Sequence, residues 1–172
     1  MNLGNPSIEN SLNSKISANI LEDNKYKKEL LTFIKTFDAT IDSINTTPKS
    51  ISELKNTNGI VKIELVHRGE NNTKTALPLE LESNGTLKML HLFDFLMDSL
   101  RNGAVLFVDE LDAKLHPLLT KYIINLFHNS DKNVGNGQLI YSTHDTVNLN
   151  KDIFRRDEIW FVEKDMYGVS VL

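Results

Sequence analysis

The chain has 172 residues, which is enough for one domain with a substantial core. It carries 19 Lys and Arg against 23 Asp and Glu, and this net charge of −4 gives no overall electrostatic footprint for nucleic acid. It contains no cysteine, which excludes disulfides and thiolate metal sites, and no apolar run of the roughly 20 residues that a membrane helix needs. These properties predict a cytoplasmic protein without a membrane partner.

The first third of the chain is predicted to be mainly helical. Residues 1–10 are polar and are interpreted as a loose arm. From Ser11 to Ile44 the apolar residues recur at spacings of three and four, which predicts two helices. The polar stretch Asn45–Asn58 is interpreted as a connecting loop. We therefore expect a helical segment and loop over residues 1–58, followed by a second unit over residues 59–172.

The second unit is predicted to begin with a hairpin and to continue as alternating helices and strands. Ile60–His67 alternates apolar and polar residues, and Thr75–Leu81 returns as a strand that Pro78 places at a sheet edge. The elements predicted after it are helix Asn84–Leu100, strand Ala104–Asp109, helix Pro117–His128, strand Gln138–Thr143, a short helical piece near Asn150, and strands Glu158–Glu163 and Val169–Leu172. This order predicts an α/β fold with a mainly parallel sheet and flanking helices, preceded by a helical segment and an antiparallel hairpin.

The strand Ala104–Asp109 ends in two adjacent carboxylates, Asp109 and Glu110. Open α/β sheets place their chemistry at the carboxyl ends of their strands. A buried strand that ends in Asp-Glu is the Walker B pattern, in which the first acid holds Mg²⁺ and the second can polarise an attacking water. Many strands end on an acid, so the neighbouring motifs decide how this pattern is interpreted.

One neighbouring motif opens the helix before this strand. At Ser83-Asn84-Gly85-Thr86 the free N–H groups of a helix start are available to an anion, and the hydroxyls of Ser83 and Thr86 can add hydrogen bonds. The alternative is that Ser83 or Asn84 only caps the helix.

Asp112 and the polar residues Ser142–Asp145 are predicted on the rim that carries Asp109 and Glu110. Asp112 follows closely enough to lie near a phosphate or a metal, although it could instead complement the dipole of the next helix. The second buried strand ends in Ser142-Thr143-His144-Asp145. A neutral His144 at this point could hydrogen-bond a γ-phosphate or position water, whereas a lone histidine is more often structural.

In this order the motifs resemble the C-terminal lobe of ABC-type ATPase heads, most closely the SMC/RecF/OLD-related AAA ATPases of bacterial abortive-infection and phage-defence systems. The residues that carry the resemblance are Glu82–Thr86, Asp109–Asp112 with His116 and Pro117, Ser142–Asp145, and Arg155–Glu163. The resemblance implies a P-loop NTPase fold, with residues 59–172 as the C-terminal lobe of the head.

The resemblance also implies a role for each motif. Ser83, Asn84 and Gly85 would form the signature motif, which binds the γ-phosphate of a nucleotide held by the opposite protomer. Asp109 would be the Walker B carboxylate for Mg²⁺, and Glu110 would be the general base that activates water.

Two more roles follow from the same resemblance. Asp112 would be the D-loop acid at the dimer seam, and His144 would be the switch histidine. The implied cofactors are ATP and Mg²⁺. Asn84 departs from the glycine that many transporter-type heads carry, a change that SMC-like relatives accommodate.

The 172 residues contain no Gly-x-x-x-x-Gly-Lys-Ser/Thr, the Walker A loop that holds the β- and γ-phosphates. We therefore expect the chain to be the C-terminal part of a head, inactive alone, that acts as a homodimer or with a Walker-A-bearing chain. The resemblance suggests a nuclease-like effector as a further partner, and the sequence leaves open whether DNA is bound.

Two other functions stay open at this point. One is a non-catalytic interaction module, which the missing Walker A loop favours. The other is a Mg²⁺-dependent nuclease, because Asp112 and Lys114 have the acid-x-Lys spacing that restriction-like nucleases use.

Overall fold

A computed structural model describes residues 23–48, 61–149 and 151–171, together with Ile16, Asn19 and Ile20. The helices are α1 (Asn24–Lys35), α2 (Asn84–Asn102) and α3 (Pro117–His128). The strands are β1 (Ile41–Pro48), β2 (Val61–Arg68), β3 (Lys74–Pro78), β4 (Val105–Val108), β5 (Gln138–Tyr141), β6 (Glu163–Lys164) and β7 (Ser170–Val171). The predicted arm over residues 1–10 lies outside the described residues, as does Asn150. Within the described ranges, no helix is both long and apolar enough to cross a bilayer.

The first sheet is antiparallel and has the strand order β1-β2-β3. The predicted hairpin is confirmed, because β2 pairs antiparallel with β3 from Glu64–Pro78 to Arg68–Lys74. Pro78 ends β3, an edge strand of this sheet, where proline is tolerated.

The prediction of helix up to Ile44 is wrong, and a β-bulge explains why. Helix α1 ends at Lys35, and the Asp38 carboxylate then accepts hydrogen bonds from the Thr40 backbone N–H (2.9 Å) and hydroxyl (2.6 Å), which form a turn. Ile41 and Ile44 lie in β1, whose register shifts between Ile41 and Ser43. The extra residue of a bulge places side chains three apart on the same face, and both isoleucines are buried. A helical spacing therefore arises in a strand, and this strand also includes the first four residues of the predicted loop.

The second sheet is the parallel pair β4–β5, connected through α3. The α/β fold is confirmed, but parallel pairing is restricted to these two strands in the part of the chain that is described. The strand predicted over Glu158–Glu163 is reduced to a single turn of 3-10 helix at Arg156–Glu158 and the short strand β6, which pairs antiparallel with β7. No helix is assigned to the described residues on either side of Asn150.

Helix α2 is the centre of the hydrophobic core. Its residue Phe93 is 2% exposed and packs edge-on against Tyr26 of α1, with the ring centroids 5.5 Å apart. Phe33 of α1 lies against the same ring at 5.2 Å. The hydroxyl of Ser99 donates to the carbonyl of Ala104 (2.5 Å), which fixes the turn from α2 into β4. This packing anchors α2 against α1 and fixes its C-terminal end relative to β4.

Tyr141, the last residue of β5, has a raised pKa, and this predicts that the folded chain loses stability at alkaline pH. Burial raises the pKa of Tyr141 to about 12, and the negative charges of Asp145 and Asp112 add to the shift. Burial, followed by the charge of Asp94, also raises the pKa of Tyr26. Since an unfolded tyrosine has a pKa of about 10, the folded form binds more protons above that pH. The buried tyrosines therefore make their full contribution to the free energy of unfolding below about pH 10, and this contribution is lost as the pH rises toward about 12.

We expect the free energy of unfolding in urea to fall between about pH 10 and about pH 12, and to fall less steeply in Tyr141→Phe. Tyr167→Phe is the matched control, because Tyr167 is 83% exposed, and its pH slope should equal that of the wild type. An unchanged slope in Tyr141→Phe would contradict the assignment.

Candidate functional site

The register of β4 and β5 places the carboxylate of Asp109, which follows β4, next to the hydroxyl of Ser142, which follows β5. Because Val108 lies opposite Tyr141, Asp109 and Ser142 leave the sheet side by side. The Ser142 hydroxyl donates to Asp109 Oδ1 (2.6 Å) and accepts from the Glu110 backbone N–H (2.8 Å). Ser142 therefore orients the predicted metal carboxylate and fixes the backbone of the predicted base. Ser142 has no role among the sequence-based predictions, although its place in the strand register could have indicated one.

Residues 109–116 form the post-β4 loop, and Glu110 lies in it with a left-handed backbone (φ 48°). This conformation is unfavourable for a residue other than glycine, and it is retained where the surroundings impose it. The Glu110 side chain is 59% exposed, and its Oε1 lies 3.9 Å from Nε2 of His144, which is 87% exposed. This distance is too long for a direct hydrogen bond, but it allows both groups to contact one water or phosphate oxygen between them.

Asp112 connects the post-β4 loop to the segment after β5. Its Oδ1 accepts from the His144 backbone N–H at 3.4 Å, a long hydrogen bond. On either side of His144, the Thr143 hydroxyl accepts from the Asp145 N–H (2.9 Å), and the Asp145 carboxylate accepts from the side chain of Asn148 (3.0 Å). The predicted residues Asp109, Glu110, Asp112 and His144 thus lie on one rim.

The start of α2 contacts the same loop. Ser83 is the N-cap, and its hydroxyl accepts from the Thr86 N–H at 3.0 Å, so the predicted cap is confirmed at Ser83. Capping and anion binding are compatible, because helix geometry directs the N–H groups of Asn84 and Gly85 out of the helix end. A Cβ on Gly85 would lie 3.2 Å from the carbonyl oxygen of Lys114, so glycine permits the close approach of loop and helix.

A buried lysine in the second turn of α2 joins helix and loop more directly. Lys88 is 7% exposed, and its ammonium donates to the carbonyl oxygens of Glu110 (2.8 Å), Leu111 (3.0 Å) and Ala113 (2.8 Å). Burial lowers the pKa of Lys88, and the negative charges of Asp112 and Glu110 oppose this shift. Lys88 is absent from the site residues predicted from the sequence.

Glu82, just before the cap, is anchored from the antiparallel sheet. Its Oε1 lies 2.9 Å from Nε2 of His67 in β2, and the Glu82 side chain is only 4% exposed. The other ring nitrogen of His67 lies 3.0 Å from the Thr40 hydroxyl. The segment that leads into Ser83 is therefore fixed on both sides, by β2 before it and by the post-β4 loop after it.

A magnesium ion at this rim fits the residues present. Within the described ranges, no group of three or more His, Asp or Glu side chains converges in a way that could hold a metal. Mg²⁺, however, is usually held by one or two carboxylates together with phosphate oxygens and water. Asp109 is exposed, and the Ser142 hydroxyl orients it, so this carboxylate suits such a site.

An α/β unit with carboxylates at the carboxyl end of parallel strands is typical of nucleotide-hydrolysing domains. Residues 5–150 match the family described as AAA domain, putative AbiEii toxin, Type IV TA system. Because the match covers most of the chain, the protein belongs to this family of AAA-type, ATPase-like abortive-infection domains. No curated protein matches the chain significantly. The predicted family is thereby confirmed, while the roles of the individual residues stay predictions.

Proposed function

We propose that the chain supplies the Walker B, D-loop and signature part of an ATP-hydrolysing head, which a Walker-A-bearing segment completes. The observation that carries the proposal is the convergence of Asp109, Glu110, Asp112 and His144 on one rim, beside the helix start at Ser83. Asp109, Glu110 and Asp112 come from one loop, whereas His144 and Ser83 come from distant parts of the sequence, and their proximity supports the roles that the family resemblance implies.

The geometry supports a separate role for each residue of the rim. Asp109 would hold Mg²⁺, and the ion would supply positive charge to the phosphates. Glu110 has an exposed carboxylate with a fixed backbone, so it can accept a proton from an attacking water. His144 lies within 3.9 Å of that carboxylate, where it can contact the γ-phosphate and orient the same water. The N–H groups of Asn84 and Gly85 can contact a phosphate from the opposite protomer.

An apolar surface supports the need for a completing segment. Parallel strands are normally covered on both faces. In the described part of the chain, one face of β4–β5 carries Val105, Phe107 and Ile140, which are 47%, 59% and 49% exposed. A further apolar run, Trp160–Val162, is more than 60% exposed at each residue. A lobe that carries the Walker A loop would bury this surface and bring the phosphates to the rim.

The family description includes a toxin of a type IV toxin–antitoxin system, and this supports a role in abortive infection. We propose that the completed head works as a nucleotide-sandwich dimer and that its ATP state controls an effector in phage defence. A head that only pairs with another protein is the second candidate, and the exposed apolar surface favours it.

The test is Mg-ATP binding, measured by calorimetry on the 172-residue chain and on the chain co-expressed with the Walker A lobe of a full-length family member. We expect no binding by the chain alone, since no Walker A loop is present to hold the β- and γ-phosphates. We expect binding and hydrolysis by the reconstituted head. Assembly without binding would favour the interaction module, and cleavage of DNA with Mg²⁺ alone would favour the nuclease.

A further inference from the structure

Lys88 donates three hydrogen bonds to the post-β4 loop, and the proposed function gives this residue no role. A lysine ammonium has three N–H donors, and here each has a carbonyl partner at 2.8–3.0 Å. All three partners belong to the post-β4 loop, and the bond to Leu111 is buried. The ammonium is therefore fully used in holding one loop.

The backbone of the post-β4 loop includes conformations that its residues would not favour by themselves. Glu110 and Lys114 both have left-handed conformations, with φ of 48° and 63°. Such residues are unfavourable in isolation and persist where other contacts impose them. Lys88 contacts the loop between these two positions, at Leu111 and Ala113, and also contacts Glu110 itself.

We propose that Lys88 is a positioning residue whose ammonium holds the post-β4 loop in the conformation that presents Glu110 and Asp112, and joins this loop rigidly to the helix start at Ser83. The close approach of Gly85 to the Lys114 carbonyl makes a second contact between the same two segments. Loop and helix start therefore move as one body.

A rigid connection between loop and helix start also bears on regulation, a step that rests on the proposed function. In a sandwich dimer the helix start contacts the nucleotide of the opposite protomer, whereas Glu110 acts on the nucleotide of its own. A rigid connection through Lys88 transmits the closure of one site to the base of the other. The hydrogen bonds of Lys88, together with the close approach of Gly85 to the loop, thereby couple the two sites of the dimer.

The first test is hydrogen exchange on the full chain. The amides of Leu111, Ala113 and Leu115 report on the loop, because each donates a backbone hydrogen bond of 3.0 Å. In Lys88→Met, which keeps an unbranched side chain as far as Cε but removes the donors, we expect these amides to exchange on the order of tenfold faster or more. The Gly103 amide at the far end of α2, bonded to the Ser99 carbonyl, should be unchanged.

Chemical rescue separates positioning from general stability. The chain has no cysteine, so Lys88→Cys can be alkylated selectively with 2-bromoethylamine in denaturant and refolded, which restores an ammonium at nearly the original length. We expect the slow exchange of the loop to return, while Lys121→Cys, treated in the same way at an exposed position of α3, behaves as wild type throughout. An equal acceleration of all amides in Lys88→Met, or an unchanged loop, would overturn the proposal.

Turnover by the reconstituted head distinguishes this inference from the proposed function. We expect Lys88→Met to lower kcat at least tenfold with little change in the KM for ATP, because the base is misplaced while the phosphate contacts remain. A tenfold rise in the KM for ATP with kcat unchanged would overturn the positioning role. If exchange responds as expected and the unmodified head hydrolyses no ATP, the loop function of Lys88 is retained and the proposed ATPase is wrong.

Discussion

Replacing Glu110 by glutamine in the reconstituted head should reduce ATP turnover by about two to four orders of magnitude while Mg-ATP stays bound. A carboxamide has the shape of the carboxylate but cannot accept the proton from water. The backbone of Glu110, rather than its side chain, makes the bonds to Ser142 and Lys88, so the loop should keep its conformation. The nucleotide would then persist between two protomers, and size-exclusion chromatography with ATP should show a long-lived dimer.

The control for this substitution is Glu80→Gln, an exposed acid in the turn before α2 that removes the same charge away from the rim. Its turnover should match that of the unmodified head. Hydrolysis at the wild-type rate by Glu110→Gln would show that another group takes the proton, and the role given to Glu110 would have to be withdrawn.

The second large effect is expected far from the rim, at Gly137→Ala. Gly137 is buried directly before β5, and its backbone exchanges hydrogen bonds with the side chain of Asn133 at 2.6 and 2.9 Å. An added Cβ would lie 2.6 Å from the Ser99 carbonyl carbon and still closer to its oxygen, which belongs to the backbone of α2. Because a helix backbone cannot rotate away as a side chain can, we expect a loss of about 3 kcal/mol in the free energy of unfolding.

Urea denaturation at neutral pH measures this loss, with Gly168→Ala as the comparison. Gly168 has φ of 79°, and an added Cβ there would meet no atom within 4 Å, so alanine has a conformational cost without a clash. Its expected loss is about 1 kcal/mol. Equal losses in the two variants would mean that β5 can move away from α2, against the fixed packing described above.

Local signals were sufficient for several elements of the fold. Helix α3 has the predicted bounds, because Pro117 occupies the first turn and the ring of His116 caps it by accepting from the Leu118 N–H (3.2 Å). Helix α2 begins at the predicted residue because the Ser83 hydroxyl satisfies the first turn. These signals act within three or four residues, where sequence patterns are most informative.

Other features depend on contacts between distant parts of the chain. Ile41 and Ile44 have helical spacing, and only the pairing of β1 with β2 reveals the bulge that produces it. Lys88 stands in an amphipathic helix, where a lysine normally indicates a solvent-facing position, and its partners lie 22 to 25 residues further on. Ser142 lies 33 residues from Asp109, so its role required the register of the parallel strands.

The apolar face formed by Val105, Phe107 and Ile140 makes the stability of the chain depend on the concentration of the partner that covers this face. A partner that binds only the folded form adds RT ln(1 + [L]/Kd), or about 2.7 kcal/mol when it is present at a hundredfold excess over Kd. Where this partner is scarce, a larger fraction of the chain unfolds and is open to proteases. The abundance of the chain in the cell should therefore follow the abundance of its covering partner, and an unpartnered copy should be short-lived.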